Sequence, residues 1–531
     1  MTNTDERSTA QTADTQHRRS GQRSEKIVVT NPATGTDVGS VPNLSAAQVA
    51  DLAAKLRAAQ PEWEDIGPEA RARHLVRWLE WMMDNESHLL GLVHSEAGKS
   101  WGDTAIEIMV AVEVINFYTK RGPGYLKEES RRIHGPVSFN KRLRVFRRPY
   151  PLVGIITPWN YPLGMPLMDV PGALMAGAAV LSKPSEVTPL AWSEAVRAWN
   201  DEIKAPPVLG CATGDGETGR AVVDAVDMIQ FTGSTRTGRA IGVRAAERLI
   251  PASLELGGKD AMVVLSDADL ERAVRGAVWG GLFNAGQSCI AVERIYVENS
   301  VHDEFVRKLT AEVEQLRVGH DKPGDFTTEF GAIATEAQMA IIERHVADAR
   351  AKGATVLTGG QRSDGPGLFY PPTILTNVDD TMLCMSEETF GPLLPVARVA
   401  DEREAIGRAN ASDYGLSGSV WTSSLERGIR VGTQIETGGM NVNNAMANAF
   451  QLPLPMGGWK ASGLGHRFGG PNGVLKYTRQ QALVSERVPM KNEIQWYPYS
   501  PRKGALINRA LRLTGMHDWR RRLGLSSGEA Q

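Results

Sequence analysis

The spacing of apolar positions changes several times along the chain. Ser45 stands just before an apolar-periodic run, and Gln48 follows three residues later, the pattern of a capping box at a helix start. Helical spacing continues through Leu75, Trp78, Leu79 and Met82. After a turn at Asn31-Pro32-Ala33-Thr34-Gly35, the first 120 residues are therefore expected to be mostly helical. Residues 137–150 read differently. Val137, Phe139, Leu143, Val145 and Phe146 are interleaved with Lys141, Arg142, Arg144, Arg147 and Arg148. That predicts an exposed hairpin with basic faces, either a solvated edge or a strand that pairs with another subunit. From Pro151, short apolar runs alternate with helical ones. Strands are expected over 153–157, 179–182, 207–209 and 228–232, with helices through Leu174, over 189–199 and over 238–249. Alternation at this spacing means a parallel sheet with crossover helices. It restarts after Ala261, with strands over 261–265 and 294–297 and a helix over 301–316, which suggests a second α/β unit.

The two ends carry no such pattern. Residues 1–25 are polar and read as a disordered tail with no apolar segment suited to secretion. From Ser500, the positions Leu506, Ile507, Ala510, Leu511 and Leu513 recur at near-helical spacing until Gly515. Arg502, Lys503, Arg509, Arg512, Arg520, Arg521 and Arg522 outnumber Asp518 and Glu529 there. Such a basic amphipathic segment packs over its own subunit or a neighbour, or lies on an anionic membrane surface. The longest apolar stretch, near 170–181, is too short to span a bilayer and contains Pro171.

Charge and cysteine content narrow the function. Against 59 Lys and Arg stand 61 Asp and Glu, a net charge of −2 that argues against bulk electrostatic capture of nucleic acid. Cys211, Cys289 and Cys384 include no C-x-x-C pair, so neither a disulfide framework nor a metal site is expected. A cysteine that matters here works alone and reduced, which fits the cytoplasm.

Several short motifs combine a strand end with residues able to do chemistry. Gly214-Asp215-Gly216-Glu217-Thr218-Gly219 matches G-x-G-x-x-G, but only about two turns of helix fit before the strand at Met228, so it reads as a turn into a short helix. Phe231-Thr232-Gly233-Ser234 follows a strand and opens a helix, where free amides and a small residue suit a phosphate. Cys289 sits among small and polar residues in Asn284-Ala285-Gly286-Gln287-Ser288-Cys289, unlike a packing cysteine. Glu255 is flanked by leucines before Gly257-Gly258, and burial would raise its pKa toward that of a general base. Asn160, in Pro158-Trp159-Asn160-Tyr161-Pro162, offers an amide donor on a stiff loop. Each of these, taken alone, is equally compatible with a turn, an exposed strand end or a core position.

In chain order, W-N-Y-P, K-P-S-E (183–186), F-T-G-S, L-E-L-G-G-K, F-N-A-G-Q-S-C, E-E-T-F-G-P (387–392) and P-M-G-G-W-K-A-S-G-L-G (455–465) resemble the NAD(P)-dependent aldehyde dehydrogenase superfamily over residues 28–485. The resemblance implies an α/β fold with a Rossmann-type cofactor domain over 26–135 and 151–253. A catalytic domain would cover 254–454, a small β oligomerisation element 136–150 with 470–490, and a basic tail 491–531. It implies that Cys289 is the nucleophile that forms a thiohemiacetal, later a thioester. Asn160 and the Cys289 backbone amide would form the oxyanion hole, each such donor worth roughly 100- to 1000-fold in rate. Glu255 would activate the hydrolytic water. Thr157, Pro158, Trp159, Lys183, Glu186, Gly233, Ser234, Glu388 and Phe390 are implied cofactor contacts. Glu186 favours NAD over NADP, because a carboxylate repels a 2′-phosphate; nearby Lys183 moderates that preference.

The sequence also departs from its relatives. Semialdehyde-acid enzymes of the family often carry arginine where this chain has Phe283, and Met165, Met168 and Met456 suit a flexible apolar substrate. The run from Ala291 to Val297 and the long tail instead resemble a bacterial subgroup assigned to succinate semialdehyde. The expectation is an apolar or broad aldehyde, with succinate semialdehyde as the alternative, and a homodimer or homotetramer. CoA-acylating relatives lack the glutamate present here as Glu255. The intact set of Asn160, Glu255 and Cys289 argues against an inactive binding or structural relative.

Overall fold

The computed structural model describes residues 24–135 and 138–523. It divides into two compact units. One holds the chain up to Tyr125 together with Pro149–Tyr477, and the other holds Leu126–Arg148 together with the chain from Thr478.

The first unit opens with β1 (Lys26–Thr30) and β2 (Asp37–Pro42), an antiparallel ribbon around the expected Asn31 turn. The mostly helical expectation missed this ribbon because each strand buries a single side chain, Val29 and Val41, too little to register as alternation. Four helices follow: α1 (Ala46–Asp65), α2 (Pro68–Asp84), α3 (Glu86–Ala97) and α4 (Trp101–Tyr125). The capping box forms as read: the Ser45 hydroxyl accepts from the Gln48 amide, and Gln48 Oε1 accepts from the Ser45 amide at 2.8 Å. Pro68 opens α2 at its first turn, where no amide is needed. Trp63, Trp78, Trp192 and Trp199 meet edge to face with centroids 5.4–5.9 Å apart, each buried with its indole N–H bonded.

β3 (Glu129–Arg131) and β4 (Lys141–Pro149) belong to the second unit, and the first sheet contains β5 (Leu152–Ile156), β6 (Ala179–Lys183), β7 (Leu209–Cys211), β8 (Met228–Thr232) and β9 (Ala252–Glu255). These strands are parallel in the order β9-β8-β5-β6-β7, and Gly463–Leu464 pairs antiparallel with β9. The crossover helices are α5 (Gly164–Ala176), α6 (Leu190–Asp201), α7 (Gly216–Ala225) and α8 (Thr235–Glu247). Strands covered on both faces lose solvent-facing polar alternation, so β5 is apolar throughout, while β6 and β8 bury Ser182, Lys183, Gln230 and Thr232 among apolar residues. The strand expected over 207–209 starts two residues later, because Pro206 and Pro207 have no amide for the ladder. From β5 the chain moves outward to β6 and β7, then returns to the other side of β5 as β8. That reversal opens a crevice beyond the carboxyl ends of β5 and β8, the usual ligand position in such sheets.

The second α/β pattern forms a separate sheet inside the same unit. β10 (Asp260–Val264) and β11 (Val292–Glu298) run parallel at its centre, flanked by Leu393–Val399 and Thr373–Thr376 on one side and Gly418–Trp421 and Asn441–Val442 on the other. β9 pairs with β8, so Glu255 closes the first sheet rather than opening the second.

In the second unit, β3 (Glu129–Arg131) pairs antiparallel with β4 (Lys141–Pro149), and Thr478–Glu486 lies on the other side of β4. The hairpin expected within 137–150 is thus one strand whose hairpin partner lies upstream, since nothing between Lys141 and Pro149 supplies a turn residue; Val137 lies outside the described residues. Several of its cations are locally paired: Arg147 with Glu129 at 2.5 Å, Arg144 with Glu128 at 3.2 Å, and Lys141 with Glu486 at 3.1 Å. The basic tail forms a helix over Pro501–Gly515 capped by Ser500, and none of its residues is buried. Among the described residues, no helix is long and apolar enough to cross a membrane.

Candidate active site

Two carboxylates one turn apart on α4 hold the loops on either side of the site. Glu107 Oε2 accepts from the amides of Leu163 and Gly164, both at 2.9 Å, and so caps the start of α5. Its other oxygen lies 2.5 Å from Lys99 Nζ, and that ammonium sits 4.1 Å above the Tyr161 ring. Asp103 Oδ2 accepts from the Asn284 amide at 3.1 Å. In the cysteine loop Asn284, Ala285 and Gly286 take positive φ values of 55°, 55° and 72°. A Cβ on Gly286 would stand 2.2 Å from the Gly391 carbonyl oxygen, so only glycine fits.

The two loops are bonded to each other. Asn160 Nδ2 donates to the Gln287 carbonyl at 3.0 Å, and Asn284 Nδ2 donates to the Asn160 carbonyl at 3.0 Å. Gln287 Oε1 in turn accepts from the Ala334 amide at 2.9 Å. One Asn160 N–H remains for another acceptor. Burial pushes the Cys289 thiol up to about 12, with Arg467 pulling it down and Asp260, Glu388 and Glu255 pushing it further up. Burial also raises the Glu255 carboxyl to about 7, against the pull of Arg467 and then Lys476. Both Glu255 oxygens are buried without a hydrogen-bond partner. At neutral pH a resting thiol therefore sits near a carboxyl poised to accept a proton.

Cys289 lines two cavities, and a third adjoins one of them. The first, in the crevice at the carboxyl ends of β5, β6 and β8, is lined by Thr157, Pro158, Trp159, Lys183, Glu186, Gly233, Ser234 and Arg220. The second shares Pro158, Trp159, Gly233 and Ser234 with it and adds Asn160, Glu388, Phe390 and Cys289. The third is apolar and holds Met165, Met168, Phe283, Met456, Val110, Phe450 and Cys289. Every residue singled out from the sequence, except Glu255, thus lines one of three adjoining spaces. Phe283 stacks on Tyr161 with centroids 5.9 Å apart. Among the described residues, no Lys or Arg lines the apolar cavity.

The donor set of the first cavity suits a dinucleotide. Lys183 Nζ, buried, donates to the Pro184 carbonyl at 3.1 Å and lies 3.5 Å from Glu186 Oε2, an ammonium–carboxylate pair suited to a ribose diol. Ser234 caps α8 by accepting from the Thr237 amide, and the helix start faces the cavity. By contrast, Asp215 caps α7, its carboxylate accepting from Glu217 and Thr218 where a phosphate would have to bind. The G-x-G-x-x-G segment is thus the turn its spacing suggests.

Several residues that hold the site escape sequence reading. Glu293 on β11 accepts from the Thr389 and Phe390 amides at 2.8 Å and pairs with Lys259 at 2.6 Å, fixing the loop that carries Glu388. Glu388 Oε1 accepts from the Gly258 amide at 2.9 Å, and a Cβ on Gly257 would meet Glu388 Oε2 at 2.3 Å. Asp103 and Glu107 look like a solvated helix face from spacing alone, and Asp169, Arg467 and Lys476 carry no local signal.

Residues 19–483 match the Aldehyde dehydrogenase family. The chain belongs to the aldehyde dehydrogenase family. It is 38% identical over 462 residues, 86% of this chain and 88% of the other, to a Mycobacterium ulcerans protein named "putative succinate-semialdehyde dehydrogenase (NADP+) 2". A Methylomonas protein named 4,4'-diapolycopene aldehyde oxidase is 35% identical over 481 residues, 89% of this chain and 88% of that one. The crystal structure of a Mycobacterium tuberculosis aldehyde dehydrogenase complexed with NAD+ superposes with a TM-score of 0.82 at 34% identity, covering 89% of this chain and 96% of that one. As an aldehyde dehydrogenase, the protein oxidises aldehydes to carboxylic acids with a nicotinamide cofactor, through a thiohemiacetal and a thioester on cysteine.

Proposed function

We propose that this aldehyde dehydrogenase acts in the cytoplasm on apolar or broadly varied aldehydes, prefers NAD, and uses Cys289, Asn160 and Glu255 as its catalytic groups. The observation that carries this reading is that Cys289 lines both the apolar cavity and the inner cavity that shares Pro158, Trp159, Gly233 and Ser234 with the nucleotide crevice. The aldehyde carbon is attacked by the Cys289 sulfur as its proton leaves toward Glu255. The resulting oxyanion accepts from the free Asn160 N–H and the Cys289 amide. Bound NAD(P) supplies the two-electron acceptor for the thiohemiacetal. Once Glu255 has released the thiol proton to solvent, it takes a proton from the water that attacks the thioester and returns it to the departing Cys289 sulfur as the acid leaves.

The cofactor would be held by Lys183 and Glu186 at the adenosine ribose, Gly233 and Ser234 at the pyrophosphate, and Glu388 and Phe390 toward the nicotinamide ribose. Thr157, Pro158 and Trp159 would form the floor between them. The Trp159 and Phe390 rings meet edge to face at 5.4 Å. Glu186 supports NAD, but its side chain is 47% exposed and paired with Lys183, which tempers its repulsion of a 2′-phosphate. Arg220, exposed on the rim, supports the second reading, NADP, which is also named for the Mycobacterium ulcerans relative. Steady-state kinetics should give a moderate advantage in kcat/KM to NAD. Arg220→Ala should weaken use of NADP several-fold and leave NAD unchanged; equal loss with both nucleotides would remove Arg220 from 2′-phosphate recognition.

For the substrate, the absence of Lys and Arg from the apolar lining supports long or apolar aldehydes, because a distal carboxylate would be desolvated without a partner. The names of the mycobacterial relatives support the second reading, succinate semialdehyde. NADH formation with hexanal, decanal, benzaldehyde and succinate semialdehyde separates them. A kcat/KM for succinate semialdehyde tenfold above every apolar aldehyde would overturn the first reading.

A homodimer or homotetramer is supported by the exposed edge strand Thr478–Glu486, with Leu483 and Val484 open to solvent. The Pro501–Gly515 helix buries none of its own residues, which supports contact with a neighbouring subunit, or with anionic lipid as the second reading. Light scattering should give an oligomer at micromolar concentration, and a monomer mass would contradict it. A chain ending at Tyr499 that sediments with anionic vesicles no less than the full chain would remove the lipid reading.

A further inference from the structure

One face of the first sheet, behind Glu255, carries a closed group of charges that the reaction as described leaves unused. Gln230 and Thr232 on β8 are in register with Ser253 and Glu255 on β9, so their side chains project from the same face. Three charged side chains cover them. Arg467 donates from Nη2 to the Thr232 hydroxyl, and its Nε lies 3.2 Å from Asp169 Oδ2 on α5. Lys476 Nζ donates to Gln230 Oε1 at 2.8 Å and stands 3.4 Å from Asp169 Oδ1, which also accepts from the Tyr477 hydroxyl at 3.2 Å. Arg467, Asp169 and Glu255 are all at most 3% exposed.

The charge count is uneven. Two cations, Arg467 and Lys476, share one anion, Asp169, and the next carboxyl on that face is Glu255. Arg467 is kept from the aldehyde by the thioethers of Met165 and Met168, 3.9 and 3.7 Å from its Nη1, both of which line the apolar cavity. Its backbone is tied by donation to the Met456 carbonyl at 2.6 Å. The guanidinium therefore acts on the reaction only through its neighbours. A planar fork reaches Thr232, Asp169 and both sulfurs at once, which a lysine ammonium in its place would not do.

We propose that Arg467 is a positioning residue for the hydrolytic step, its guanidinium held by Asp169 and Thr232 over the face that bears Glu255. This rests on the reading of Glu255 as the base. The groups facing Glu255 are Arg467 and Lys476 from the C-terminal part of the first unit, Asp169 from α5, and the Cys289 thiol. Arg467 is the largest charge acting on Glu255 and favours its anion, and Asp169 acts in the opposite sense. Removing the two should thus shift the Glu255 titration in opposite directions, a result that a packing role would not produce.

The test is the pH profile of steady-state turnover under conditions where hydrolysis limits, measured for the intact enzyme and for Arg467→Met, Arg467→Lys, Asp169→Asn and Glu255→Gln. Arg467→Met should move the acidic limb up by about one unit or more, about tenfold less hydrolysis near pH 6, with turnover recovering toward that of the parent at alkaline pH. Arg467→Lys should restore part of that shift, and Asp169→Asn should move the limb down. Should Arg467→Met fail to fold with Asp169 left unpaired, the double variant with Asp169→Asn removes both charges and should still shift the limb up. A limb unmoved in the soluble Arg467 variant, but abolished in Glu255→Gln, would overturn the proposal and leave the base assignment standing. A limb that persists in Glu255→Gln would instead remove the base assignment and this inference with it.

Discussion

Cys289→Ala is expected to lower aldehyde oxidation by on the order of 10⁴-fold or more, while NAD binding stays unchanged. The expectation follows from how the cavities are divided. The crevice that suits the nucleotide is built by residues from β5, β6, β8 and α8, and Cys289 only closes its inner end. The substitution removes the sulfur but keeps the backbone amide and the Asn160–Gln287 bond, so the rest of the site remains in place. The other cysteines cannot take over. Cys384 is buried in the core of the second sheet and Cys211 ends β7, and neither lines the two cavities that meet Cys289. Fluorescence titration with NAD and stopped-flow NADH formation read the two halves of the expectation. Oxidation above a trace in the alanine variant would return the nucleophile to an open question, and a lost NAD signal would show that the change reached beyond the sulfur.

What the sequence disclosed and what it hid follow from the range of the forces involved. β5, β6 and β8 are legible because strands covered on both faces by helices are mostly apolar and keep no solvent-facing polar alternation, and glycine or proline bounds each of them. β1 and β2 are not, since one buried valine per strand leaves no period to detect. The 137–150 segment shows the opposite failure: its alternation marks a strand, but the strand's hairpin partner, Glu129–Arg131, lies upstream of it. The positions now found beside Cys289 became persuasive only as an ordered set of motifs, because a glutamate between leucines or an asparagine before tyrosine is common in isolation. The charges behind Glu255 were invisible for a different reason. Asp169 lies in an otherwise apolar helix, and its partner Lys476 is 307 residues further along the chain. Pairing across that distance is a property of the folded chain alone.

Glu255→Gln is the second change with a large expected effect, and it separates the two halves of the reaction. Glutamine keeps the shape of the side chain, and its carbonyl oxygen can still face the Arg467 backbone amide that favours the Glu255 anion. Thiohemiacetal formation and its oxidation should still proceed, more slowly than in the parent, in mixing experiments at alkaline pH, where the ionised fraction of the thiol rises without help from Glu255. A burst of NADH near one equivalent per active site should then be followed by turnover slowed about 10²- to 10⁴-fold, the usual contribution of a positioned base. The pH dependence supplies the sign. Glu255 acts as a base only when ionised, and burial sets its pKa at about 7. Turnover of the parent enzyme, where hydrolysis limits, should therefore rise through neutrality and level off above it, whereas the glutamine variant, having nothing to titrate there, should lack that limb. Thioester accumulating on Cys289 is observable by intact-protein mass spectrometry in the variant and should be sparse in the parent. Unchanged steady-state turnover with no acyl-enzyme would rule Glu255 out as the group that activates water, because a buried, unpartnered carboxyl would then have been replaced without consequence.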